Sequence, residues 1–212
     1  MENKTPQPVR LSAQLVSYLF HPLFIPTYFM LYLIRVIPYE FAGITDWQLK
    51  MRVFSLFWLT AFFPAFAVFL LWRLKFSESI FLRTQKERVI PYVITMFFYW
   101  WMYYLSRNFT DQPMALKFFY FGIFIASSLG LIVNNFIKVS LHAMGVSGLM
   151  MAVLLVNMHY PIQGFIWVAA SILLAGIVVS ARMIVSDHTQ QELSIGFAIG
   201  IVTQVIAYFW VL

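Results

Sequence analysis

Stretches free of Asp, Glu, Lys and Arg occupy residues 11–34, 53–72, 89–106, 118–137, 139–181 and 193–212. Most lie near the roughly 20 apolar residues that carry an α-helix across a bilayer core. The run 139–181 is long enough for two crossings, and Asn157-Met158-His159-Tyr160-Pro161 offers a polar pair, an interfacial tyrosine and a proline at which the chain can reverse. The pattern predicts an all-α, polytopic membrane helix bundle of about seven transmembrane helices, forming one domain over residues 1–212. His21-Pro22 and Pro26 interrupt the first span and predict a kinked or partly re-entrant element, and Pro64 predicts a kink in the second. Gly196 and Gly200, four apart in the last span, suit close helix packing. No internal repeat, low-complexity tract or linker marks a second domain, so any chemistry belongs to the bundle or its edges.

Composition agrees with this pattern and narrows the partners. Hydrophobic residues make up 62% of the chain and charged ones only 10%, far from the balance of a water-soluble domain. The aromatic share of 19% suits lipid-facing helices and interfacial belts. The net charge of +6 is spread over the ends of apolar runs, without a cluster that tracks a nucleic-acid backbone. Anionic lipid or phosphate is the expected partner, and nucleic acid is not. The absence of cysteine excludes disulfides, thiolate metal sites and cysteine nucleophiles. The polar start, residues 1–10, leads into an apolar stretch too long for a signal-peptide core, so retention is expected.

Seven crossings put the N-terminus, residues 73–88, the vicinity of 138 and residues 182–192 on one face, with nine of the fourteen Lys and Arg residues, Lys4 and Lys138 among them. The positive-inside rule makes that face cytoplasmic unless several of these cations serve to bind phosphate. Three polar clusters sit there, at Arg83–Pro91, Lys138–His142 and Arg182–Glu192. Ionisable groups at the lip of a membrane bundle are costly and point to function. His142 and His188 stand near the starts of the fifth and seventh spans, where unpaired amides and the helix dipole favour an anion. His188 and Glu192, four apart, share a helical face, and a carboxylate on one ring nitrogen leaves the other free as a nucleophile. Arg182 and Arg88, with Arg83 or Lys86, are suited to neutralising phosphate oxygens, and His142 to supplying a leaving-group proton. No metal or other cofactor is needed. Arg83, Lys86 and Arg88 read equally well as a basic stretch meeting lipid headgroups. His21 and His159 read as structural or interfacial, Asp187 as a solvated neighbour of His188, and Asn134 and Asn135 as helix-to-helix hydrogen-bonding groups more simply than as a site entrance.

In order and separation the three clusters resemble the type-2 phosphatidic acid phosphatase superfamily, which includes the vanadium haloperoxidases. Its pattern is Lys-x6-Arg-Pro, then Pro-Ser-Gly-His, then Ser-Arg-x5-His-x3-Asp. The third element stands here as Ala181-Arg182-x5-His188-x3-Glu192, with Glu for Asp. The second is Val139-Ser140-Leu141-His142, which keeps Ser and His at their separation and lacks Pro and Gly. In the first, Arg88 matches the family Arg, Pro91 comes three residues later, and Phe81 occupies the Lys position. The resemblance covers about residues 50–212, with the first span as an addition to the usual six.

The resemblance implies that His188 is the nucleophile, oriented by Glu192, and that His142 protonates the departing oxygen. It further implies that Arg88, Arg182 and Ser140 hold the phosphate, with Lys86 and Arg83 as substitutes for the missing cation. The implied substrate is a lipid phosphate or a polyprenyl diphosphate reaching the site from the bilayer, and the implied location a bacterial inner membrane. A Cβ at Leu141 impedes close approach of the backbone to phosphate. The lost Lys, Pro and Gly leave open a catalytically silent relative that binds anionic lipid or a membrane partner. A small transporter or channel fits less well, since the ionisable residues gather at one face instead of crossing the midplane.

Overall fold

The computed structural model describes residues 6–82, 84–162, 164–185 and 188–212. Among these residues there are nine α-helices and no strand: α1 (Gln7–Leu19), α2 (Ile25–Val36), α3 (Asp46–Phe57), α4 (Phe63–Arg73), α5 (Gln85–Asn108), α6 (Met114–Asn134), α7 (Leu141–His159), α8 (Phe165–Val185) and α9 (Gln190–Val211). A 3-10 turn, Pro22–Phe24, links α1 to α2, and a π-helical stretch, Trp58–Phe62, links α3 to α4, so the nine helices form seven rods. Six rods are long and apolar enough to cross a membrane, namely Gln7–Val36, Asp46–Arg73, Met114–Asn134, Leu141–His159, Phe165–Val185 and Gln190–Val211. The chain is therefore a multi-pass integral membrane protein. The remaining rod, α5, has 24 residues. At ~1.5 Å per residue it is long enough to span, but a charged first turn and many Tyr and Trp side chains make it the least apolar. It lies along α6.

The prolines act more selectively than expected. His21-Pro22 does break the first rod. Pro26, by contrast, sits in the first turn of α2, where a missing N–H costs nothing, whereas Pro64 stands inside the continuous Asp46–Arg73 rod. The irregularity near Pro64 is the wider π-helical turn just before it, which accommodates the ring without an open break. The reversal expected at 157–161 falls at the end of that stretch, because α7 continues through His159 and Pro161 follows its C-cap at Tyr160.

The centre of the bundle is α7, which packs against α9, α8, α6 and α2. The N-terminal rod belongs to the same core. Phe29 and Leu33 of α2 are fully buried, and the Phe29 ring stacks on Phe119 of α6 at 4.1 Å. Lipid tails are as apolar as the side chains, so contact quality, not burial from water, holds such helices together. The tightest approach is α9 on α7. A Cβ at Gly196 would fall 2.7 Å from the Ser140 carbonyl oxygen, and one at Gly200 would fall 2.3 Å from the Met144 carbonyl oxygen. The expected role of these glycines in close packing is thus borne out.

Gly200→Val is expected to destabilise the bundle by roughly 1–3 kcal/mol, since backbone atoms of α7 cannot yield to the new side chain. Gly176→Ala, where an added Cβ meets nothing within 4 Å, serves as the neutral control. Thermal unfolding in detergent micelles distinguishes the two.

Candidate active site

At the end of the bundle where α5, α7 and α9 begin and α8 ends, the three clusters meet. Local sequence sets each piece in place. Thr189 caps α9 through a reciprocal pair: its hydroxyl accepts the Glu192 amide at 3.3 Å, and Glu192 Oε2 accepts the Thr189 amide at 3.0 Å. Such a capping box requires Glu or Gln three residues after the cap. That requirement gives a physical reason for Glu at this position, because an Asp side chain is one carbon shorter. The same Oε2 lies 2.9 Å from His188 Nδ1. A carboxylate only accepts, so Nδ1 carries the proton and Nε2 keeps its lone pair. One carboxylate caps the helix and orients the imidazole.

Only 4% of the His188 side chain is exposed. Burial lowers its pKa from the ordinary 6.5, the Glu192 hydrogen bond opposes the shift, and the Arg88 and Arg182 charges add to it. At neutral pH the ring is unprotonated at Nε2. Arg182, in the last turn of α8, is near enough to His21, His142 and His188 to act electrostatically on all three.

His142 is the second residue of α7. Its Nε2 lies 3.0 Å from the Ser17 carbonyl oxygen of α1, and its ring meets His21 edge to face, centroids 5.1 Å apart. Ser140 is the N-cap of α7. It is fully buried, its hydroxyl accepts the Ala143 amide at 3.4 Å, and its own amide donates to the Glu192 carbonyl at 3.4 Å. Ser140 thus ties the start of α7 to the start of α9 and brings His142 beside His188.

Arg88 is 9% exposed and anchored at two points, with Nε donating to Leu82 O at 2.9 Å and a terminal nitrogen to Val139 O at 3.1 Å. Leu82 has φ +49, a left-handed conformation costly for a branched side chain, and its carbonyl is the one Arg88 holds. A second capping box, Thr84 with Glu87, starts α5, and Glu87 also accepts from the Ser77 hydroxyl at 2.9 Å and the Glu78 amide at 3.0 Å. The guanidinium is therefore a fixed positive charge beside His188 and Glu192.

The structure brings together His142, His188, Glu192, Arg182, Arg88 and Ser140. Lys86 is exposed, two positions from Arg88 and so on a different side of α5. Arg83, Asp187 and Lys4 lie outside the described residues. Asn134 does join helices, exchanging hydrogen bonds with Gln85 (Gln85 Nε2 to Asn134 O, 2.7 Å; Asn134 Nδ2 to Gln85 O, 2.9 Å), whereas Asn135 bonds carbonyls of its own helix. His159 is exposed near the opposite end, 3.3 Å from the Tyr208 hydroxyl. His21, read from sequence as structural or interfacial, instead sits against His142. The His-Pro break was visible, but no local pattern says which ring the broken helix will face. The Thr-x-x-Glu signature at 189–192 was the legible sign that Glu192 caps as well as orients.

No family model, curated protein or solved structure matches this chain. Function rests on the geometry of the site itself. Among the described residues no group of three His, Cys, Asp or Glu is placed to hold a metal ion. What the site offers is a buried neutral imidazole with an orienting carboxylate, a second imidazole and two guanidinium groups.

Titration of His188, followed by NMR of histidine-labelled protein in micelles, is expected to have its midpoint below 6.5. The folded-state value lies below the unfolded one, so protons bind preferentially to the unfolded chain. The His188 contribution to stability is intact above pH 6.5 and is lost as pH falls below it. Unfolding temperature should drop over that interval, and less so in His188→Gln.

Proposed function

We propose that this protein is a membrane phosphatase of the type-2 phosphatidic acid phosphatase kind, hydrolysing a lipid phosphate or polyprenyl diphosphate through a phosphohistidine. The observation that carries the reading is the His188–Glu192 pair at 2.9 Å beside Arg182, Arg88 and His142. Nε2 of His188 attacks phosphorus as the bond to the leaving oxygen breaks, and that oxygen takes, by way of His142, the proton that the monoanionic phosphate brought to the site. Water then attacks phosphorus as the P–N bond breaks, giving a proton to His142 that returns to the departing phosphate, and His188 is left neutral. Arg182 and Arg88 offset the charge that builds on the phosphoryl oxygens. Glu192 stabilises the cationic ring of the intermediate, as a carboxylate does in a Ser-His-Asp triad.

A bilayer-borne substrate is favoured by an apolar cleft between α8 and α9, about 360 Å³ in volume and lined by Val179, Met183, Leu193 and Phe197 among others. Its upper rim includes Met183 and Gln190, one residue from Arg182 and two from His188. A second reading, a silent relative that binds anionic lipid, is favoured by three observations. The Ser140 hydroxyl is buried in a helix cap, Leu141 stands where a glycine would let phosphate approach, and Lys86 faces elsewhere.

The test is phosphate release by purified protein from phosphatidic acid, phosphatidylglycerol phosphate and polyprenyl diphosphates, with and without chelator. His188→Ala is expected to lower kcat at least about a thousandfold. Glu192→Gln keeps the cap but not the charge and is expected to cost between about 10²- and 10⁴-fold. Wild-type release no faster than that of His188→Ala on every substrate would leave the lipid-binding reading.

A further inference from the structure

The N-terminal rod supplies groups to the site that the three clusters do not contain. His21 interrupts that rod in an extended conformation (φ −63, ψ 139), and Pro22 opens the short 3-10 turn after it. The turn lies close against α7, since a Cβ at Gly145 would meet the Pro22 ring at 3.4 Å. His21 Nδ1 accepts the Leu23 amide at 3.4 Å, which fixes the ring with its proton on Nε2. On one side the ring meets Phe24, centroids 6.3 Å apart, and Phe24 in turn stacks on Phe57. On the other side it meets His142 edge to face.

The carbonyl of Ser17 completes this arrangement. It belongs to the last turn of α1, where helix carbonyls run out of amide partners. The amide of His21, which would continue the helical ladder to Ser17, turns instead to Tyr18 O. The Ser17 oxygen accepts from His142 Nε2 at 3.0 Å, and because a carbonyl only accepts, that nitrogen carries a proton. His142 therefore has Nδ1 as its working atom, whereas His188 works through Nε2.

We propose that His21 is a positioning residue for His142: with the Ser17 carbonyl, which holds Nε2–H, it fixes the His142 ring so that the bare Nδ1 takes the proton carried by the monoanionic phosphate and passes it to the leaving oxygen. The N-terminal rod is then part of the catalytic apparatus, giving His142 the kind of support that Glu192 gives His188. The assignment rests on the phosphatase reading. Its chemical consequence is selective. A well-placed acid matters when the leaving group is an alkoxide, which cannot depart without a proton, and matters little for a stable phenolate.

The experiment compares wild type, His21→Ala, His21→Phe, His142→Ala and His188→Ala on a lipid monophosphate and on p-nitrophenyl phosphate, in micelles, with unfolding temperature measured in parallel. His21→Ala is expected to lower kcat on the lipid phosphate about tenfold at unchanged KM while p-nitrophenyl phosphate turnover stays within about twofold. His142→Ala should follow the same pattern more strongly, and His21→Phe, which keeps a ring against His142, should recover most of the loss. An unchanged lipid phosphate rate in His21→Ala overturns the assignment. So does an equal fall on both substrates, the mark of a merely structural role. If wild type and His188→Ala are indistinguishable on both substrates, the phosphatase reading itself fails and takes this assignment with it. That result is separate from either outcome at His21.

Discussion

The close approach of α9 to α7 at Gly196 and Gly200 is the contact on which the rest of the arrangement depends. A hydrocarbon solvent gives no reward for burying one apolar helix against another, so association rests on how closely the backbones can approach. With no Cβ on α9 at these two points, the start of α9 reaches the Ser140 cap of α7, and the Ser140 amide donates to the Glu192 carbonyl. His142 and His188 become neighbours through that contact, although 46 positions separate them in the chain. A bulkier residue at either glycine would move the two histidines apart before altering any group in the site.

Helix termini do most of the remaining positioning. Capping boxes start α5 and α9, Ser140 starts α7, and the last turn of α1 ends on the His142 ring. Termini are where unpaired amides and carbonyls collect, and so where polar side chains repay burial. Gathering several termini at one end of an apolar bundle creates one polar, partly water-excluded region, and the break of the first rod at His21-Pro22 adds the end of α1 to it. Glu192 illustrates the economy of the arrangement, with a single carboxylate satisfying an orphan amide and setting a histidine tautomer.

Arg88 shows how a structural and an electrostatic role coincide. Its guanidinium is tied to two backbone carbonyls, one on the strained Leu82 and one on Val139. Those bonds fix the loop before α5 and the approach to α7, and they also fix a positive charge near His188. A freely rotating Lys at the same place would have done neither with the same geometry.

The helical class, the number of rods and the His188–Glu192 pair follow from sequence alone, because each depends on local periodicity: apolar runs of spanning length, or an i,i+4 spacing on one helix face. The packing role of Gly196 and Gly200 was legible for the same reason. What tertiary structure decided are the contacts between segments far apart in the chain. These are the Ser17 carbonyl on His142, His21 against the same ring, Arg88 on Val139, Ser140 turned into a cap, and Lys86 directed away. None leaves a local periodic trace, since each depends on how rods pack and rotate about their axes. The first rod, an apparent addition by sequence, touches His142 because His21 and the end of α1 meet α7 at that depth.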